Sequence, residues 1–280
     1  MPTQATLIDS LFPAELDPKP GRRARRLLAE AIVVTLVSSL LPIAMGVPEG
    51  GLIALFLISA SQSGRLAQLL EENRNAIYVT HTPSSLANRR TVVGIFWIFA
   101  GILVGFALVA IGLGEQEVSR FFGFTIRAAE LGEGGLRGRM LGSAGSILAH
   151  NTAVTLVIVG ICFIYQSYGA MLVLGWNACV WSFVLTVLVA RDLGTESSAA
   201  AVAMASLAVL PHLAAEALAY IMASLGAIYA SRALARHPLG GSIQREVLRV
   251  TLSLFAFSLV ALVVAALLEA WVAGPLLTLL

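Results

Sequence analysis

The sequence predicts an all-α protein, a polytopic transmembrane helical bundle of about seven spans with a kinked polar helix near its centre. Of its 280 residues, 58% are hydrophobic and only 12% are charged, whereas about a quarter of the residues of a soluble domain are charged. Several apolar runs also reach the roughly 20 residues that a helix needs to cross a bilayer. The net charge of +2 is too small to indicate nucleic-acid binding.

The N-terminal third predicts a polar lead followed by two spans. Residues 1–26 are polar and Pro-rich and end in basic residues, which is typical of a cytoplasmic flank. Residues 27–90 then hold a first span at about 27–47, a second span and a cytoplasmic loop. The purely apolar part of the second span is only about 10 residues long, too short to cross alone. It crosses if it continues to Leu70 with Arg65 reaching towards the cytoplasmic face; a re-entrant hairpin is the alternative.

Residues 91–275 predict the core of the bundle. The third span contains Gly101 and Gly105, a GxxxG pair that allows close helix approach within the bundle, with a contact between two copies as the alternative. An amphipathic interfacial helix is predicted at about 117–131, followed by a Gly-rich turn. Four further spans are predicted, and almost no loop separates the first two of them, which indicates a tight helical hairpin. They cover about 143–165, 168–190, 199–230 and 247–272.

The distribution of basic residues predicts the orientation. With seven spans and a cytoplasmic N-terminus, thirteen of the eighteen Lys and Arg residues flank the inner side and five flank the outer side. The C-terminus is therefore expected outside, in a multi-pass protein of the cell (inner) membrane whose first partner is the lipid bilayer. The sequence leaves a homo-oligomer open.

The most informative stretch contains Pro211, His212 and Glu216, inside an apolar run. A histidine and a carboxylate four residues apart lie on one face of a helix. Neither is tolerated in hydrocarbon unless it faces a protein interior and is paired. Pro211 removes one backbone donor and predicts a kink.

Other polar residues in the later spans are expected to face the same region. They are His150 and Asn151 in the fourth span, Asn177 in the fifth and Glu269 near the end of the seventh. The two histidines and two carboxylates (His150, His212, Glu216 and Glu269) form a chemically plausible set for zinc or another divalent transition metal, with the asparagines as supporting groups. A hydrogen-bonded network without metal and an ion or proton path are the alternatives.

At these residues the chain resembles the stage II sporulation protein M family. That family's Pro-His-Gly-x-x-Glu element is matched by Pro211, His212 and Glu216, with Leu213 in place of the glycine. Three shorter matches follow the same order along the chain over residues 91–275. They are Asn151 (with His150 where the family has a first asparagine), Asn177 (with Ala178 in place of a glycine), and Glu269 before Pro275.

The resemblance implies a membrane scaffold or assembly factor that recruits other membrane or envelope proteins. Whether the chain is an enzyme stays open at this point. One alternative is a metal-dependent intramembrane hydrolase in which Glu216 or Glu269 acts as the catalytic general base. A proton- or cation-coupled transporter is the second alternative, and the absence of a convincing internal repeat counts against it.

Overall fold

The computed structural model describes residues 20–130, 143–192, 199–236 and 241–273, and in these it is helical without any strand. Six helices contain a stretch long and apolar enough to cross a membrane. They are α1 (Pro20–Ala44), α2 (Gly50–Tyr78), α3 (Ser84–Glu130), α4 (Ala144–Asp192), α5 (Ala199–Arg236) and α6 (Ser242–Leu268), the last continued by a π-helical segment at Glu269–Ala273. The prediction of an all-α polytopic bundle is confirmed. Most of the polar lead (1–19), the Gly-rich turn (131–142) and Pro275 lie outside the described residues.

The first two helices differ in detail from the predicted spans. α1 begins at Pro20, about two turns before the predicted start, because proline suits a first helical position and the arginines that follow are good helix formers. α2 is one uninterrupted helix of 29 residues. Residues 50–70 therefore form no re-entrant hairpin, and the polar residues of this segment lie on a continuous helix.

The chain of α3 folds back on itself beyond its apolar part, which ends at Leu113. The rings of Phe106 and Phe122 have centroids 6.1 Å apart, whereas sixteen residues of straight helix would separate them by about 24 Å. Residues 117–130 therefore return to the end of the bundle, with Phe121, Phe122 and Phe124 buried.

α4 consists of two arms joined at Gln166, whose backbone has φ 49° and ψ −125°. A Cβ atom at Gly169 would lie 2.8 Å from the carbonyl oxygen of Ile161. Eight residues of straight helix would put these positions about 12 Å apart, so the chain reverses at Gln166. The predicted tight hairpin is confirmed, and the six helices provide seven apolar arms.

α5 is the central helix of the bundle. Its most apolar stretch of 18 residues is 72% buried, whereas the same stretch of the other five candidate spans is 22–50% buried. α5 packs against α3, α4 and α6. The outward faces of the surrounding helices carry exposed large hydrophobic side chains such as Val37, Leu156, Ile164 and Phe257. These faces are the surface that contacts lipid.

The GxxxG pair of α3 packs against α1 of the same chain. A Cβ atom at Gly101 would lie 2.6 Å from the Cβ of Ala31, and one at Gly105 would lie 2.6 Å from the Cβ of Thr35. The two glycines thus allow α1 and α3 to approach closely, as predicted for packing within the bundle.

Candidate functional site

The central helix carries two buried ionisable residues. His212 and Glu216 are 3% and 8% exposed, and they lie one turn apart on α5. The carboxylate of Glu216 accepts a hydrogen bond from the hydroxyl of Tyr220, one further turn along. The Nδ1 atom of His212 is buried, and the backbone of Ala208, one turn earlier on α5, lies near the ring. This face of α5 therefore points into the bundle.

The register of α6 against α5 brings Glu269 to the level of His212. The hydroxyl of Ser258 donates to the carbonyl of Ala219 at 2.8 Å, and the ring of Phe255 lies against Gly226. Glu269 is eleven residues beyond Ser258 and fourteen beyond Phe255. Counting back eleven residues from Ala219 and fourteen from Gly226 along α5 reaches residues 208 and 212, so Glu269 lies near the level of His212. Glu269 is half-buried and opens the π-helical segment, which packs against α5.

The polar residues of α4 lie in differing surroundings. His150 is exposed, although the residue after it, Asn151, is buried. The side-chain amide of Asn177 donates to the carbonyl of Val173, one turn earlier on its own helix, at 2.9 Å. The polar residues of the later spans were expected to face one region, and only some of them do.

The proposed metal site finds no support. All four candidate ligands (His150, His212, Glu216 and Glu269) lie in the described residues, and within those residues no three His, Cys, Asp or Glu side chains are close enough to hold a metal ion. His150 is exposed, whereas His212 and Glu216 are buried. The zinc hypothesis required these four side chains to lie together. The catalytic role of Glu216 or Glu269 depended on the same arrangement.

Sequence reasoning missed a buried ion pair between α1 and α2. Glu30 of α1 is 2% exposed, and Arg65 of α2 donates to it from two nitrogens, Nε to Oε1 at 3.0 Å and Nη2 to Oε2 at 2.7 Å. The Nη1 atom of Arg65 also donates to Gln68 at 2.6 Å. Arg65 therefore does not extend to water as expected, because its side chain is only 10% exposed. A carboxylate in the first apolar run and a guanidinium in the second were the signal that could have predicted this pair.

Gln62 lies one turn before Arg65 and is 1% exposed. Both atoms of its side-chain amide are buried without a hydrogen-bond partner in the described part of the chain. Such a group is costly to bury unless it is bonded, so this layer of the bundle has unused hydrogen-bonding capacity next to the Glu30–Arg65 pair.

A third polar layer joins the helix ends on the side where α3 begins. The amide of Asn73 in α2 donates to Asn88 in α3 at 3.0 Å and to the hydroxyl of Tyr229 in α5 at 2.7 Å. Tyr229 in turn donates to Asn88 at 3.1 Å. Near it, the Nε of Arg232 donates to Gln166 in the turn of α4 at 3.2 Å. These bonds connect four of the six helices.

At the opposite end, Glu49 holds the folded-back part of α3. Its carboxylate forms an ion pair with Arg127 and accepts a hydrogen bond from the backbone N–H of Phe124 at 3.2 Å. Its own N–H donates to the carbonyl of Arg120 at 3.1 Å. Gly51 allows this arrangement, because any Cβ atom there would lie 2.3 Å from the ring of Phe122. We call these contacts the Glu49 clamp.

The fold and these layers define a polytopic helical membrane protein in which several of the buried polar groups of the described residues connect one helix to another. The chain matches none of the protein-family models, curated proteins or solved structures with which it was compared. Its resemblance to the stage II sporulation protein M family therefore stays a prediction based on the residues alone.

Proposed function

We propose that this chain is a membrane scaffold or assembly factor of the stage II sporulation protein M type. The Glu49 clamp is the single observation that carries the proposal. It holds residues 117–130 against one end of the bundle through a charge-assisted contact and two backbone hydrogen bonds. A segment held in this way is a fixed surface on which another protein can dock.

The outward face of the clamped segment has the composition of a docking surface at the edge of a membrane. Ser119, Arg120 and Arg127 are exposed along it, while its phenylalanines are buried underneath. Arginine is enriched at protein interfaces relative to the rest of the protein surface. The proposed partner is therefore the water-facing part of another membrane or envelope protein.

The distribution of basic residues supports the orientation that this function needs. Arg120 and Arg127 are among the five basic residues assigned to the outer side, and the Asn73–Asn88–Tyr229 layer lies at the end assigned to the cytoplasm. In the proposed arrangement the N-terminus is cytoplasmic, the C-terminus is outside, and the clamped segment faces the envelope side of the cell (inner) membrane.

Site-specific photocrosslinking in native membranes tests this function. A photoreactive amino acid at Ser119 is expected to give a protein adduct of discrete mass, whereas one at Phe257, which is 63% exposed in the apolar part of α6, is expected to capture lipid. Glu49→Gln should lower the yield at Ser119 several-fold, because it weakens the ion pair that holds the segment.

The matched control is Glu117→Gln, which removes a charge from the same segment. Within the described residues Glu117 forms no ion pair, so the yield at Ser119 should stay near that of the parent. Capture of lipid alone at Ser119, or a protein adduct equally strong with Glu49→Gln, would contradict a docking role for the clamped segment.

A further inference from the structure

An apolar groove of about 440 Å³ runs along the side of the bundle between α3 and α5. Its lining is contributed by Val92, Val93, Phe96 and Trp97 of α3 and by Ala214, Ala215 and Leu218 of α5. Both helices are candidate spans, so the groove lies at the depth of the hydrocarbon. The groove is open along the side of the bundle, so a ligand in it would also contact the surrounding lipid. Only an apolar chain suits such a lining.

Two arginines precede the groove by about one turn and lie on the same face of α3. Arg89 precedes Val92 and Val93 by three and four residues and Phe96 by seven, and Arg90 precedes Trp97 by seven. Residues at these spacings lie above one another on a helix. Both arginines are exposed and form no ion pair or side-chain hydrogen bond with another residue in the part of the chain described here.

We propose that this groove and the two arginines together form a binding site for an anionic phospholipid. One acyl chain occupies the groove, and the phosphate lies against Arg89 and Arg90 at the level of the headgroups. Guanidinium groups bind phosphate through paired charge-assisted hydrogen bonds, and an apolar channel one turn deeper matches the geometry of a lipid with its chain entering the bilayer. The ligand belongs to the leaflet at the end of the bundle where α3 begins.

Trp97 provides a direct probe because it lines the groove. The full-length chain with Trp176→Phe, Trp181→Phe and Trp271→Phe retains it as the sole tryptophan. In phosphatidylcholine vesicles, phosphatidylglycerol with brominated chains should quench its fluorescence more strongly than brominated phosphatidylcholine at the same mole fraction. A basic residue near an anionic membrane surface strengthens binding about fivefold. The preference should therefore fall by roughly tenfold or more in Arg89→Gln/Arg90→Gln.

Two further variants separate a built site from general anchoring by positive charge. Arg22→Gln/Arg25→Gln removes two exposed cations of α1 at the same end and should leave the preference intact. Ala214→Phe fills the groove without changing charge and should reduce quenching by both lipids.

Equal quenching by the two lipids, an unchanged preference in Arg89→Gln/Arg90→Gln, or undiminished quenching in Ala214→Phe would each overturn the proposal. Trp181 packs edge-on against Phe99, so the single-tryptophan chain can lose stability. Native mass spectrometry of the otherwise unmodified chain with the same two lipids is therefore the second measurement. Retention of phosphatidylglycerol over phosphatidylcholine, lost in Arg89→Gln/Arg90→Gln, supports the site, and equal retention overturns it.

Discussion

The carboxylate of Glu30 and the guanidinium of Arg65 form a two-point ion pair in the apolar interior between α1 and α2. Either charge alone would be expensive at this depth of a membrane protein. Parallel hydrogen bonds from two nitrogens to two oxygens satisfy both groups at once. The pair therefore also selects α1 as the neighbour of α2, because only this contact keeps either charge paired.

Removing one partner of this pair should destabilise the protein more than removing both. Glu30→Leu leaves Arg65 buried without its counter-ion, and we expect the free energy of unfolding to fall by about 3–5 kcal/mol. Glu30→Leu/Arg65→Leu should lie much closer to the parent. Unfolding in detergent micelles measures the difference. As a control, Glu72→Gln affects only the exposed pair with Arg23 and should cost less than about 1 kcal/mol. Equal losses for the single and double variants would contradict the pairing.

The hydrogen bond from Tyr220 to Glu216 should contribute measurably to the stability of α5. Tyr220→Phe removes the donor and leaves a buried carboxylate without it, and we expect a loss of about 1.5–3 kcal/mol, as for other hydrogen bonds to charged groups. Tyr78→Phe changes an exposed tyrosine at the end of α2 and should have little effect on the same unfolding measurement. If the two substitutions were equivalent, the bond would have no energetic role.

Gly101 and Gly160 should respond in opposite directions to the same substitution. In Gly101→Ala the new Cβ atom would lie 2.6 Å from both Ala31 and the carbonyl oxygen of Leu28, so we expect a loss of about 1–3 kcal/mol from overpacking. Gly160 has open space at its Cβ position, and Gly160→Ala should be neutral or gain up to about 1 kcal/mol. Light scattering should give one oligomeric mass for both variants. A mass change in Gly101→Ala alone would instead place the glycine pair between two copies.

The turn at Gln166 predicts the order of stability among variants at this position. Its positive φ is easiest for glycine and hardest for a β-branched residue. Gln166→Gly and Gln166→Val both lose the hydrogen bond from Arg232, and we therefore expect Gln166→Gly to be the more stable of the two in thermal unfolding. Gln166→Val should be less stable by about 1–2 kcal/mol. In a straight helix, glycine at position 166 would instead give the lowest stability of Gln, Gly and Val. Finding glycine least stable would contradict the reversal of α4 at this position.

Several features of this protein follow from the sequence alone. The low charge and the length of the apolar runs determined an all-helical membrane bundle, because backbone groups in hydrocarbon must be bonded within a helix. The near absence of a loop between 165 and 168 was sufficient to predict the hairpin. The spacing of His212 and Glu216 was sufficient to place them on one face of a helix.

Only the tertiary structure decided which polar side chains meet. His150 was expected inside and is exposed, whereas Glu30 and Arg65, 35 residues apart, form a buried ion pair. The rotation of a helix about its axis and the choice of its neighbour depend on packing against all the other helices. A periodic pattern in one segment does not contain that information, so sequence reasoning did not pair Glu30 with Arg65.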